Sequence, residues 1–176
     1  MDKREQLITR SIPFLEEIKD LTPGTEVEQL LNKNYGPGTD LYNHLASLVS
    51  AGIKEGWAAN VELNGSRYRR SRILEPCAET SYFSITAVYM DSRANGEDPD
   101  FVFRGDYHLH PYGEINLVVP LDRTALLAGF NGWRSQGWTA PAPGSHHYPE
   151  AKGGALIALF FLPAGRISYK IKPPQP

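Results

Sequence analysis

Up to Trp57 the apolar positions of this chain recur three and four residues apart, and beyond it they alternate. The change divides the sequence into a helical part and an extended part. Residues 2–20 carry Leu7, Ile8, Ile12, Leu15 and Ile18 at helical spacing among charges, the stripe of an amphipathic helix. Pro13 falls inside it. A proline there removes a hydrogen bond and crowds the preceding turn, which predicts a kink, or a restart with Ser11 near the cap. Thr25, with Glu28 three residues on, forms a capping-box pattern ahead of Val27, Leu30 and Leu31, and the short helix it opens ends before YGPG. Thr39 is the expected cap of a third helix with Leu41, Leu45, Leu48, Val49 and Ile53 as its stripe, and Gly52 and Gly56 weaken its far end. His44 lies beside that stripe and reads as structural.

After Trp57 the segments VEL, RYRRSRIL and SYFSITAVYM are rich in β-branched and aromatic residues and are separated by NGS and EPCAE turns. A polar loop, DSRANGEDPD, leads to FVFRGDYHLH. EINLVVPL, GWTA, GGALIALFFL and RISYKI continue the extended pattern, with TALLAGF a short strand or turn. No spacing leaves room for crossover helices, so the strands are expected to be antiparallel. The fold class predicted is mainly β, a closed or sandwiched antiparallel barrel over residues 58–172 with helices packed outside it. In domain terms this is a helical extension, 1–57, on a barrel, 58–176, in one structural domain.

The 176 residues suffice for one sizeable core. With 18 Lys and Arg against 20 Asp and Glu, the net charge of -2 gives no footprint for nucleic acid. The most apolar run, ALIALFFL, is too short to cross a membrane as a helix. MDKREQLITR is charged where a signal peptide would be apolar, so a cytoplasmic location is expected. Cys77 stands alone and excludes an internal disulfide; it reads as a small buried or turn residue. Exposed sheet edges in so short a barrel favour a homodimer.

Candidate chemistry concentrates in YHLHPYGEINLVVP. On a strand His108 and His110 point the same way, and Glu114 returns to that face if alternation survives Gly113. Imidazoles with one carboxylate suit a divalent transition metal such as iron, manganese, zinc or nickel, and not calcium or magnesium. The other paired histidines, His146 and His147, lie in the turn-rich segment PAPGSHHYP, and either is available as a further ligand. An isolated histidine is more often a surface residue than a ligand; the grouping is what favours a site.

His108-x-His110-x3-Glu114 followed by PGSHHYP resembles the two metal-binding motifs of the cupin superfamily, which are small jelly-roll barrels with a metal in the cup. The resemblance implies metal ligands His108, His110, Glu114 and His147, with His146 facing the other way. Val102 and Leu121 stand where the superfamily pattern has glycines, and Ala151 where it often has asparagine, so turns and supports differ. The stretches YGPGTDLY, EGWAANVEL, RYRRSRI, SITAVYMDS, YHLHPYGEINLVVPLD, GWTAPAPGSHHYPE and GGALIALFFLPAGRISY together resemble the 4-hydroxylaminobenzoate lyase family of bacterial nitroaromatic degradation. That resemblance implies conversion of 4-hydroxylaminobenzoate to 3,4-dihydroxybenzoate with release of ammonium. The family is described without an added cofactor, which leaves a tightly bound metal or none.

For such a reaction a Lewis acid would ease departure of hydroxide from nitrogen, after which water adds to the neighbouring ring carbon and the imine is hydrolysed. Glu114 or His146 is the candidate general base, and Asn116 would face the cup and orient the substrate. The carboxylate of a small aromatic substrate needs a cation, for which Arg70 and Arg72, on one face of RYRRSRI, are the candidates. Tyr112, with Tyr107, Tyr148, Trp133 and Trp138, offers aromatic walls. The same ligands would serve a non-haem dioxygenase, or a non-catalytic cupin that binds a small ligand.

Overall fold

The structure, a computed structural model, describes residues 1–175. Three helices, α1 (Lys3–Ile18), α2 (Thr25–Tyr35) and α3 (Asp40–Glu55), come first. Twelve strands follow: β1 (Val61–Glu62), β2 (Tyr68–Leu74), β3 (Phe83–Asp91), β4 (Phe103–Arg104), β5 (His108–His110), β6 (Ile115–Pro120), β7 (Leu126–Gly129), β8 (Gly132–Arg134), β9 (Gly137–Thr139), β10 (Ser145–His147), β11 (Glu150–Lys152) and β12 (Ala155–Pro163).

Asp2 starts α1 in a capping box: its side chain accepts the Glu5 N–H at 2.8 Å, and Glu5 accepts the Asp2 N–H at 3.0 Å. The helix then runs unbroken through Pro13, so there is no restart at Ser11, whose hydroxyl donates to the Leu7 carbonyl at 2.8 Å. Thr9, whose carbonyl loses its donor to the proline, is on the exposed side of the helix. Phe14, not Ile12, completes the buried stripe. The cap expected for α2 is also different. Its N-cap is Gly24 with no side-chain bond, and Glu28 turns instead to Asn131 (2.8 Å) and Arg134 (3.2 Å) of the β7–β8 hairpin. Thr39 does cap α3, accepting the Tyr42 N–H at 3.3 Å, and Gly56 closes it with a left-handed φ of 81°.

The strands form antiparallel sheets in the orders β1-β2-β3-β12-β6-β9, β4-β11-β7-β8 and β5-β10. Alternation decides what each face of the large sheet meets. Ile85, Ala87, Ile115, Leu117, Ile157, Leu159 and Phe161 share one core with Leu7, Phe14, Leu15 and Leu45 of the helices. Val88, Met90, Val118, Leu156 and Ala158, one residue out of phase, pack on Phe103, Leu127 and Ala151 of the second sheet. Each fully buried large side chain contributes about 1.5–3 kcal/mol to holding these layers together. The result is a jelly-roll barrel whose outer sheet face is covered by helices and whose inner face opens into a cup. Two segments differ from the sequence reading. PGSHH contains a strand, β10, and RISYKI contains none: residues 166–172 cross the barrel with one bridge, Leu109 to Ser168.

Candidate metal centre

The pairing of β5 with β10 sets His147 opposite His108, His146 opposite Leu109 and Ser145 opposite His110. Residues directly opposite across a ladder share a face, so His147 joins His108 and His110 while His146 turns away. One nitrogen from each of the three rings falls within 4.8 Å of the others. The outer nitrogens are tied down. Nδ1 of His108 donates to the Asp106 carbonyl at 2.8 Å. The Ser145 hydroxyl donates to the Ala142 carbonyl at 2.6 Å, so it accepts from Nδ1 of His110 at 3.0 Å. Both rings therefore present bare Nε2 lone pairs, 2.9 Å apart, to the same point. Two lone pairs so close repel each other unless a cation shares them, and three nitrogens suit a first-row divalent metal.

Glu114 arrives by a different route from the one alternation suggested. The chain leaves the β5 layer at Pro111–Gly113 and enters the large sheet, and Gly113 holds the turn at φ 81°. A Cβ there would stand 2.7 Å from Pro23 and 2.8 Å from the Pro141 carbonyl, so the close approach itself requires glycine. Glu114 Oε2 then lies 3.3 Å from His110 Nε2, buried and without a hydrogen-bond donor. Burial pushes the Glu114 carboxyl up to about 8. Burial, with His108 and His147 adding to it, pushes His110 down to about 3, and burial takes His147 down to about 4 and lowers His108. Neutral imidazole is the form that offers a lone pair to a metal.

Beside the cluster lies a narrow slot. Its cavity volume is about 30 Å³. Arg70, Asn116, Phe160 and Tyr169 line it. Asn116 Oδ1 is buried without a partner. Other predicted residues are placed elsewhere. Arg72 bonds Glu75 and the Gly165 carbonyl, both at 2.9 Å, and faces a neighbouring recess. Tyr112 is 53% exposed in a surface groove. His146 is exposed and bonded through Nδ1 to the Tyr107 hydroxyl. Tyr107 packs edge-on to Tyr148 outside the cup, Trp133 lies under Lys152, and Trp138 is buried against Phe14 beneath the helices. The aromatic rings that do reach the site are Tyr68, Phe160, Tyr169 and Phe130, the last stacked on His147 at 4.8 Å. Alternation along ALIALFFL could have found Phe160; nothing local marks Tyr169.

A family model described as 4-hydroxylaminobenzoate lyase (PnbB) matches residues 9–169. The 4-hydroxylaminobenzoate lyase of Pseudomonas putida is 61% identical over 170 residues, covering 96% of this chain and 97% of that protein. The chain belongs to the 4-hydroxylaminobenzoate lyase family. The lyase of Nocardioides sp. (strain LMS-CY) is 59% identical over 174 residues and 99% of both chains. Among solved structures, the DMSP lyases RdDddP and RnDddQII give a match at TM-score 0.43 and 17% identity, over 94% of this chain and 96% of theirs. DMSP lyase DddQ from Ruegeria pomeroyi DSS-3 matches at 0.42 and 13%, over 94% and 95%. Similarity at that level says nothing about substrate. The part matched by the lyase family model contains every residue that lines the cup, from Tyr68 to Tyr169.

Proposed function

We propose that this chain converts 4-hydroxylaminobenzoate to 3,4-dihydroxybenzoate with release of ammonium, as a step in 4-nitrobenzoate breakdown, and that the cup is its active site. The observation that carries the reading is full-length identity of about 60% to relatives named for that activity. The cup's chemistry supports it. Of the arginines on and beside β2, Arg67 pairs with Glu97, Arg72 with Glu75, and Arg69 stacks on Tyr89 on the other face. Arg70 alone faces the slot with no carboxylate partner among the described residues, and it is the residue we assign to the substrate carboxylate.

His108, His110 and His147 would hold a divalent metal, which when bound would supply Lewis-acid polarisation of the nitrogen–oxygen bond. Asn116, with its free Oδ1, accepts the hydroxylamine N–H and orients the nitrogen. Glu114 is the general base in its ionised form, which a cation on the neighbouring imidazoles would favour: it takes a proton from the water that adds to the ring carbon beside the nitrogen-bearing one. With His146 outside the cup, Glu114 is the base the geometry favours. Hydrolysis of the resulting imine releases ammonia, and overall one water is consumed and no oxidant is needed. We also infer a cytoplasmic homodimer, which light scattering at micromolar concentration would test through the mass.

The test is assay of the purified protein with 4-hydroxylaminobenzoate alongside elemental analysis of the same sample. Ammonium and 3,4-dihydroxybenzoate should appear in equal amounts. Protein loaded with metal that releases neither product would reject the reading.

A further inference from the structure

After β12 the chain returns across the cup. The backbone of Ser168 exchanges two hydrogen bonds with Leu109, at 2.8 and 3.0 Å, so this strap is tied to the strand that carries His108 and His110. Tyr169 follows directly. Its ring meets His108 edge-on at 5.7 Å, the Arg70 guanidinium lies over its face at 4.6 Å, and Arg70 donates an N–H to its hydroxyl. No other side chain hydrogen-bonds Arg70 among the described residues. Tyr169 thus joins the strand bearing the histidines to the strand bearing the cation. It touches both ends of the slot.

We infer that Tyr169 is a positioning residue that fixes Arg70 at one distance from the histidine cluster, so that the site selects rings whose carboxylate lies opposite the reacting nitrogen. The inference rests on the assignment of the cup as the lyase site. A long arginine side chain samples many rotamers, and a substrate carboxylate binds it well only if that freedom is already restricted. The Tyr169 ring covers one face of the guanidinium and its hydroxyl occupies one N–H. The remaining donors are left for a bidentate carboxylate.

Tyr169→Phe keeps the ring and removes the hydroxyl, and because Tyr169 is 40% exposed the variant should fold. With 4-hydroxylaminobenzoate, KM should rise about tenfold while kcat stays within about twofold, as expected for loss of a hydrogen bond that positions a charged group. The same change made in an Arg70→Gln background should alter kcat/KM by less than about twofold, since Tyr169 acts through Arg70. An equal loss in both backgrounds, a fall in kcat at constant KM, or an unchanged or lower KM would overturn the inference.

Calorimetry with 4-aminobenzoate, which keeps the carboxylate but cannot react, gives a readout free of turnover. Affinity should be about tenfold weaker in Tyr169→Phe than in the wild type. If the wild type releases no ammonium yet the affinities differ in this way, the lyase reading falls and the role of Tyr169 stands. If the affinities are equal, or the wild type does not bind 4-aminobenzoate, the role of Tyr169 falls.

Discussion

His110 sits at the centre of the cluster, with His108 and Glu114 close to its Nε2 and the His147 ring 5.0 Å from its own. Losing one imidazole of three leaves too few strong ligands, so His110→Ala should remove most bound metal and activity together, as read by elemental analysis and ammonium release. His146→Ala is the contrast. Its ring is on the outer face, and metal content should persist in that variant; loss of metal there would show that the histidines of PGSHHYP are assigned one residue out of step. Gly113 makes a second test at this scale. Gly113→Ala asks for a Cβ at positive φ and within 3 Å of two neighbours, and should destabilise by roughly 2–4 kcal/mol in urea unfolding, with Glu114 displaced.

At the scale of elements, the outer edge of β9 shows how a helix closes the large sheet. Asn32 of α2 accepts the Trp138 N–H and donates to the Trp138 carbonyl, both at 2.9 Å, so its amide takes the place of a further strand. Asn32→Ala should cost about 1–3 kcal/mol in unfolding experiments, because two ladder groups lose their partners beneath a helix. Asn32→Asp, which sets a carboxylate oxygen against the Glu28 and Trp138 carbonyls, should cost at least as much. Neither contact could be read from the sequence, where Asn32 is one polar residue on a short helix. What periodicity revealed was which residues share a face: Leu7 with Leu15 and Ile18, and Arg70 with Arg72. It could not say which arginine was free, because that depends on Glu75 and Gly165 reaching Arg72 from other turns. The same limit applies to β10 and to RISYKI. Turn residues surround a three-residue strand that forms because β5 offers it an edge, and an alternating segment stays irregular because it finds one bridging residue there.

For the molecule as a whole, the cup is where layers that are otherwise independent converge: His108 and His110 from β5, His147 from β10, and Glu114 at the head of β6 in the large sheet. A cation held by the three imidazoles would bind the folded chain and not the unfolded one, and would therefore add to stability in proportion to its affinity. Chelation should lower Tm by roughly 5–15 °C for a site held at 100 to 1,000 times its Kd, and reloading should restore it. Activity should fall and return in parallel with metal content. Turnover should also be the same with and without oxygen, because the balanced reaction needs only water; a requirement for oxygen would instead favour a dioxygenase on the same ligands. Should activity survive in full after the site is shown by elemental analysis to be empty, Lewis-acid assistance is excluded. The chemistry would then fall to Glu114 and the buried imidazoles acting as acid and base, and the fall in Tm would remain as the separate sign of a cation that only holds the layers together.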